Sequence, residues 1–197
     1  MVISKGKDWG SRFLNNQSVL SFSSEADLAQ AAKQYLDRGE KLCARISQCD
    51  LTKVFGVEKS IGDSMIYSVD LGVATLDGGS EVAFVSHCFA GKPFMNCDFY
   101  FAMNSSFYRN YTLGPKSHIN DGLLDFTTGK LSLSQLYLAR KKAELGVHIP
   151  HPDLKYFRKS STEFNFKQKT VYCDHVNVGK CKKLTVRIIE DAFFLII

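Results

Sequence analysis

The sequence predicts a mainly β fold of the α+β class, most simply an antiparallel β-sandwich or split barrel with two helices. Many short segments rich in β-branched and aromatic residues alternate with turn-forming residues. Two longer segments have helical apolar periodicity and capping residues. The 197 residues, 45% of them hydrophobic and 23% charged, resemble an ordinary globular protein and are enough to bury a core.

The first helix is predicted over residues 25–38, after a polar and turn-rich segment over residues 1–18. Ser24 can cap it, and Asp27 three positions later completes a pattern like a capping box. Gly39 suits the position just after the helix. Its apolar residues, which share one face, are Ala26, Leu28, Ala29, Ala32, Tyr35 and Leu36.

Strands dominate the next part of the chain, from about residue 41 to residue 130. The predicted strands are 42–46, 65–71, 73–76, 81–88, 98–103 and 124–128. Asp77-Gly78-Gly79 predicts a hairpin, because glycine readily adopts the positive φ angles that tight hairpin turns require.

The second helix is predicted over residues 133–145. Ser132 and Gln135 form a capping box, and Gly146 ends the helix. The side chains expected to face the core are Leu133, Leu136, Tyr137 and the stem of Arg140. The last predicted strands are 163–167, 170–173, 184–189 and 193–197, with a loop at 148–152.

Charge and cysteine content narrow the classes of function. The net charge of +5 suits an anionic partner or a mildly basic surface, but aromatic residues do not interleave with Lys and Arg as in single-strand nucleic-acid binders, so no nucleic acid is expected. The six cysteines form no C-x-x-C pair, which argues against a structural zinc site built on them. Without a signal peptide or an apolar span, the expected location is cytoplasmic, with reduced thiols.

One segment combines a turn with two carboxylates: Asn120-Asp121-Gly122-Leu123-Leu124-Asp125, shortly after Gly114-Pro115. If the turn leads into a strand, Asp121 and Asp125 can converge on a small volume together with backbone carbonyls, which suits Mg²⁺. The alternative is a charged turn before a strand.

Three further places could carry chemistry. Asp174 follows an apolar strand, where it could act as a general base or cap a turn. His148 and His151 could bind a metal or lie in a surface loop. The segment Lys5-Gly6-Lys7-Asp8-Trp9-Gly10 could hold phosphate through backbone N–H groups, although it has no P-loop spacing.

Taken in order, these segments resemble the C-terminal part of the diacylglycerol kinase and sphingosine kinase-like lipid kinases. The segments that carry the resemblance are residues 5–12, the helix at 25–38, Asp70-Leu71-Gly72, residues 84–91 with Ser86 where the family has Asn, Asn104, Gly114-Pro115, Asp121–Asp125, the helix at 133–145 and Asp174-His175-Val176. The resemblance implies that residues 1–40 end a nucleotide-binding domain and that residues 41–197 form a β-sandwich lipid-kinase domain.

The same resemblance implies roles for particular residues. Asp121 and Asp125 would help to hold Mg²⁺ at the domain interface, Asp174 would be the base that deprotonates the lipid hydroxyl, and Gly6 and Asp8 would lie on the nucleotide side. The sequence departs from the family pattern after Asp174, where Gly and Glu are missing.

The Gly-Gly-Asp-Gly-Thr nucleotide motif is also absent from these residues. The resemblance therefore implies a lipid kinase that uses ATP and Mg²⁺ when joined to a nucleotide-binding domain, and a chain that is inactive alone. Its expected partners are a lipid substrate at a membrane surface, with peripheral membrane association, and a second copy in a homodimer. The alternative is a non-catalytic β-sandwich module that binds lipid or a protein.

Overall fold

The computed structural model describes residues 10–13, 18–56 and 64–197. Within these ranges the chain forms two α-helices, α1 (Glu25–Asp37) and α2 (Leu133–Glu144). The strands within the same ranges are β1 (Gly10–Arg12), β2 (Leu20–Phe22), β3 (Cys43–Ile46), β4 (Met65–Leu76), β5 (Ser80–Phe84), β6 (His87–Ala90), β7 (Asp98–Met103), β8 (Phe107–Tyr108), β9 (Tyr111–Thr112), β10 (Leu124–Lys130), β11 (Leu154–Lys159), β12 (Ser161–Cys173) and β13 (Val176–Ile196).

One large sheet organises the described residues, in the strand order β1-β4-β13-β12-β6-β7-β10-β11. Strand β5 pairs with β4, and the strands β8 and β9 form a separate small hairpin. Almost all pairings are antiparallel; β2 with β3 and β3 with β13 are parallel. The expected mainly β fold with two helices is confirmed, as an open sheet.

Several predicted strands are joined into longer ones. Strand β13 runs through both predicted C-terminal strands, with an irregularity in its pairing to β4 between Ile189 and Phe193. The Asp77-Gly78-Gly79 hairpin between β4 and β5 is confirmed. The predicted strand 81–88 is instead divided into β5 and β6, because the N–H groups between them bond to a side chain rather than to a neighbouring strand.

Helix α1 begins where the sequence predicts, with the Ser24 side chain accepting a hydrogen bond from the Asp27 N–H. Its apolar face packs on the sheet. The buried residues of this core include Leu28, Ala29 and Ala32 of the helix and Val69, Leu71, Phe193 and Leu195 of the strands. The core therefore contains residues on both sides of position 40; the division into segments 1–40 and 41–197 stays a prediction.

Helix α2 has the predicted capping box of Ser132 and Gln135, but it presents a different face to the core. Leu136, Ala139 and Ala143 are buried, against aromatic residues of β7. Leu133 is 77% exposed and Tyr137 is 58% exposed, so the prediction that they face inward is wrong. The two small alanines on the inward stripe let the helix approach the aromatic rings closely.

Strand β11, which was not among the predicted strands, pairs with β10 at the end of the sheet. All six cysteines lie among the described residues, and each is a free thiol. No helix within the described ranges is long and apolar enough to cross a membrane.

Candidate functional site

The turn between β12 and β13 consists of Asp174 and His175, both with positive φ angles of 44° and 68°. Positive φ at both central residues is the geometry of a type I′ hairpin turn, which matches the twist of the flanking strands. Adjacent residues of a strand point to opposite faces of the sheet. Asp174 and His175 lie in the turn instead, so their side chains do not have to point in opposite directions.

The carboxylate of Asp174 points into the protein and is buried. It accepts hydrogen bonds from the backbone N–H groups of Val85 (2.7 Å), Ser86 (2.9 Å) and His87 (3.0 Å). Val85 and Ser86 are the two residues between β5 and β6, and His87 is the first residue of β6. The arrangement is the capping alternative raised by the sequence, whereas the role of Asp174 as a general base stays a prediction.

Burial raises the pKa of Asp174 to about 6, and the nearby Glu25 carboxylate raises it as well. The His87 ring and the backbone N–H groups act in the opposite direction. The carboxylate is thus held by fixed donors in a region that disfavours its charge.

Four side chains meet beside this turn, and we call them the strand-end cluster: Glu25, Asp50, His87 and His175. One potential ligand atom from each lies within 4.8 Å of the others. The Nε2 atoms of the two histidines are 3.3 Å apart. Asp50 Oδ2 lies 2.9 Å from Nε2 of His175 and 3.6 Å from Nε2 of His87.

The two carboxylates of the strand-end cluster are held in place by other groups. Glu25, the first residue of α1, accepts hydrogen bonds through Oε1 from the Leu51 N–H (2.7 Å) and the Ser86 hydroxyl (2.6 Å). Its other oxygen, Oε2, lies 3.9 Å from Nε2 of His175. Asp50 Oδ1 accepts a hydrogen bond from Lys53 Nζ at 2.7 Å.

The pKa of Asp50 is held well below its usual range. Burial acts to raise this pKa, but the groups around the carboxylate, which are His175, His87, Lys53 and the Arg109 N–H, together outweigh burial. Asp50 is therefore an anion that is buried at a junction of loops.

Asp121 and Asp125, the predicted magnesium ligands, lie close together in the structure, and both contact the cationic side chain of Arg158. The Arg158 guanidinium donates to Asp125 through Nε at 2.7 Å and to Asp121 through a second nitrogen. Asp125, which is fully buried, also accepts hydrogen bonds from the Tyr156 hydroxyl and the Lys116 N–H.

The hydrogen-bond donors around Asp121 and Asp125 show whether Mg²⁺ would fit there. A positive charge already lies between the two carboxylates, so Mg²⁺ would fit only if Arg158 moved away. The magnesium role of Asp121 and Asp125 stays a prediction.

A further carboxylate, Asp70, organises the turn at Asp121. It accepts hydrogen bonds from the N–H groups of Gly122 (2.8 Å) and Asp191 (2.8 Å). Burial raises the pKa of Asp70 to about 6; the two N–H groups lower it, and the charges of Asp191 and Asp121 raise it. Asp70 thus ties the end of the Asp-Gly segment to β13.

Comparison with known proteins bears on the architecture. No protein-family model and no curated protein matches the sequence. Among solved structures, a protein from Bacillus anthracis str. Sterne assigned as a diacylglycerol kinase superposes with a TM-score of 0.66 and 12% identity, covering 90% of this chain and 76% of that chain. The chain has a diacylglycerol kinase-like fold. A second structure, of a diacylglycerol kinase from the same organism, gives a TM-score of 0.62 at 12% identity, covering 90% of this chain and 74% of that chain.

Two of the predicted site residues lie outside the residues that the structure describes. Gly6 and Asp8, expected on the nucleotide side, are both in the segment 1–9. Their roles stay predictions.

The histidine pair in the loop before β11 divides between two environments. His148 is buried, with 6% of its surface exposed, and its Nδ1 has no hydrogen-bond partner among the described groups. His151 accepts a hydrogen bond from the Asp153 N–H at the more exposed side of the loop. Neither His148 nor His151 belongs to the strand-end cluster, which is the group of possible metal ligands found among the described residues. The surface-loop alternative is wrong for His148.

The strand-end cluster was not predicted from the sequence. Its residues are far apart along the chain, and the fold brings them together through a helix start, a loop, a strand start and a hairpin turn. His175 adjoins the predicted base, so its position could have been found. Glu25, Asp50 and His87 carry no local pattern that distinguishes them from surface or core residues.

Proposed function

We propose that this chain is the acceptor-binding part of a lipid kinase that transfers the γ-phosphate of ATP to the hydroxyl of a lipid of the diacylglycerol, sphingosine or ceramide type. The observation that carries the proposal is the diacylglycerol kinase-like fold over 90% of the chain. The order of the sequence segments supports it independently, because those segments resemble the same family in the same order.

Phosphoryl transfer depends on holding the γ-phosphate, its metal ion and the acceptor in line. The chain contains no Gly-Gly-Asp-Gly-Thr motif, so the proposal assigns ATP and its Mg²⁺ to a nucleotide-binding domain beyond these residues, with Gly6 and Asp8 on that side. When bound there, Mg²⁺ would neutralise phosphate charge. No step is routed through Asp121 and Asp125, which Arg158 already pairs.

The outward face of α2 supports contact with a membrane surface. Leu133, Tyr137 and Leu138 are 77%, 58% and 56% exposed, and Lys141 and Lys142 lie on the next turn of the helix. Apolar side chains beside cations suit the boundary between anionic headgroups and acyl chains. This face would hold the protein at the surface where its lipid acceptor is found.

In the proposal the acceptor hydroxyl approaches the β12–β13 turn, where Asp174 is the predicted base. A pKa raised to about 6 favours this role, because a base works best when its pKa is near the working pH. The three backbone N–H bonds favour a positioning role, in which Asp174 holds the start of β6.

The decisive experiment is a lipid phosphorylation assay with labelled ATP and mixed micelles of diacylglycerol, sphingosine or ceramide. The 197-residue chain should be inactive alone. A longer product of the same gene that carries the nucleotide motif should phosphorylate one of the lipids. If such a product phosphorylates none of them, the kinase proposal fails. Asp174→Asn in the active product should lower kcat if Asp174 is the base.

The second candidate is a non-catalytic module that binds lipid or a protein partner, and the hydrogen-bonded state of Asp174 favours it. Liposome sedimentation with anionic lipid tests this reading. Leu138→Asp should weaken sedimentation, while Val176→Asp, at an apolar position 48% exposed elsewhere on the surface, should not. Asp174→Ala should leave binding unchanged in such a module. Light scattering of the same samples tests the proposed homodimer.

A further inference from the structure

We infer that the strand-end cluster of Glu25, Asp50, His87 and His175 binds one divalent transition-metal ion, with Zn²⁺ as the best match, and that the ion has a structural role. The inference is independent of the proposed kinase activity. It rests on the geometry of four ligand atoms, on hydrogen-bonding capacity and on the charges buried around them.

The spacing of the ligand atoms fits a tetrahedral ion. With bonds of about 2.0–2.1 Å, two ligands of a tetrahedral zinc ion are about 3.3 Å apart. The two histidine Nε2 atoms are 3.3 Å apart, and Asp50 Oδ2 lies 2.9 Å and 3.6 Å from them. Glu25 Oε2 lies 3.9 Å from Nε2 of His175, and the four ligand atoms lie within 4.8 Å of one another, so Glu25 would move inward to complete the set.

Hydrogen bonds alone do not satisfy these atoms. A ring nitrogen of neutral histidine carries either one proton or one lone pair. Nε2 of His175 faces both Asp50 Oδ2 and Nε2 of His87, so a proton donated to the carboxylate leaves nothing for the second nitrogen. A cation among them would accept the lone pairs of both rings and of the carboxylates.

The surroundings hold the ligands in the required orientation. The His87 ring is fully buried and stacks on Phe89 at 4.6 Å, so packing fixes the direction of its Nε2. When Nε2 binds the metal, the proton of the neutral ring would be on Nδ1, which has no described partner. Glu25 uses Oε1 for Leu51 and Ser86 and turns Oε2 toward the cluster. Asp50 uses Oδ1 for Lys53, and its Oδ2 accepts a hydrogen bond from the Arg109 N–H at 2.8 Å, which leaves the second lone pair of Oδ2 for the cluster.

Charge also favours a cation. Glu25, Asp50 and the adjacent Asp174 are each only 4% exposed, and burying anions is costly unless they are paired. Lys53 supplies one positive charge, and a divalent ion would balance the rest. Two imidazoles with two carboxylates suit zinc or a neighbouring transition metal better than Mg²⁺, which prefers octahedral oxygen ligands.

A four-ligand site leaves no open position on a tetrahedral ion, which is typical of structural zinc. The ion would join the start of α1, the loop before the helical turn Thr52–Phe55, the start of β6 and the β12–β13 turn.

The test uses the full chain without a histidine tag, stripped of metal and titrated with Zn²⁺ in competition with a coloured chelator. One ion per chain is expected. Glu25→Gln and His175→Ala should each weaken binding by about 100-fold or more, because even outer-shell changes cost about 10–100-fold. The control His151→Ala removes a histidine elsewhere and should bind as the unmodified chain does.

Two results would overturn the inference: no zinc bound by the unmodified chain, or equal binding by the chain and both ligand variants. Substitution with Co²⁺ gives a readout that needs no variant, and so guards against a variant that fails to fold. Bound Co²⁺ should show the intense visible absorption of a tetrahedral ion, while the weak spectrum of an octahedral ion would contradict the site. Neither measurement involves ATP or lipid, so its failure is distinct from failure of the kinase proposal.

Discussion

His148 should make the stability of this protein depend on pH, through a histidine that the fold keeps neutral. Its ring is 6% exposed among the apolar residues packed under α2, including Phe99, Leu131 and Leu136. Burial lowers the pKa of His148 from 6.5 to about 4. The unfolded chain therefore binds this proton at a higher pH than the folded chain does.

The magnitude follows from that difference. One pKa unit corresponds to about 1.36 kcal/mol, so a fall from 6.5 to about 4 is worth about 3 kcal/mol of unfolding free energy. Because the folded pKa is lowered, protonation favours the unfolded chain. The stabilisation from neutral His148 is complete above pH 6.5, falls as the pH falls, and is lost by about pH 4.

The assay is urea unfolding of the unmodified chain and of His148→Leu at about pH 7.5 and about pH 4. Leucine keeps an apolar side chain of similar size in the core but removes the titrating group. The unmodified chain should lose about 3 kcal/mol more than the variant between the two pH values. In the control His151→Leu, which leaves His148 in place, that extra loss should persist. An equal loss in the unmodified chain and His148→Leu would show that His148 does not cause the pH dependence.

Three further substitutions test contacts of the site and of the sheet core by unfolding measurements. Arg158→Met should cost about 3 kcal/mol, because it leaves the fully buried Asp125 without its cation, and recovery on adding Mg²⁺ would support the magnesium prediction. Gly72→Ala should cost about 1–3 kcal/mol, because a Cβ there would lie 2.2 Å from the Phe84 ring; an unchanged melting temperature would contradict this. Asp174→Ala should cost about 3 kcal/mol, about 1 kcal/mol for each N–H bond lost, and should speed amide exchange between β5 and β6.

The local elements were predictable because their causes are local. Capping residues, a glycine turn and short β-rich segments lie within a few positions of the structure they specify. Strand β11 was not predicted, because its sequence, Leu-Lys-Tyr-Phe-Arg-Lys, contains three cationic residues and follows a loop with two prolines. Missing this strand also hid Arg158, the cross-strand neighbour of Asp125 in the β10–β11 register.

The inward face of α2 shows a different limit of the sequence. Leucine and tyrosine predict burial by their chemistry, but the surface opposite the helix decides which stripe is buried. Here Leu136 with two alanines packs on the sheet, while Leu133 and Tyr137 face outward. Periodicity locates an amphipathic helix, but it does not say whether an apolar side chain meets the core or another surface.

The class of fold, the two helices with their caps, the hairpin at Asp77 and the two carboxylates of the Asp-Gly segment follow from the amino-acid sequence alone. The partners of the charged groups depend instead on how the chain folds. Asp125 meets Arg158, Asp174 meets three backbone N–H groups, and Glu25 meets His175 from the other end of the chain. Hydrogen bonds and ion pairs act over a few ångströms, and sequence separation does not show which distant residues the sheet brings within that range.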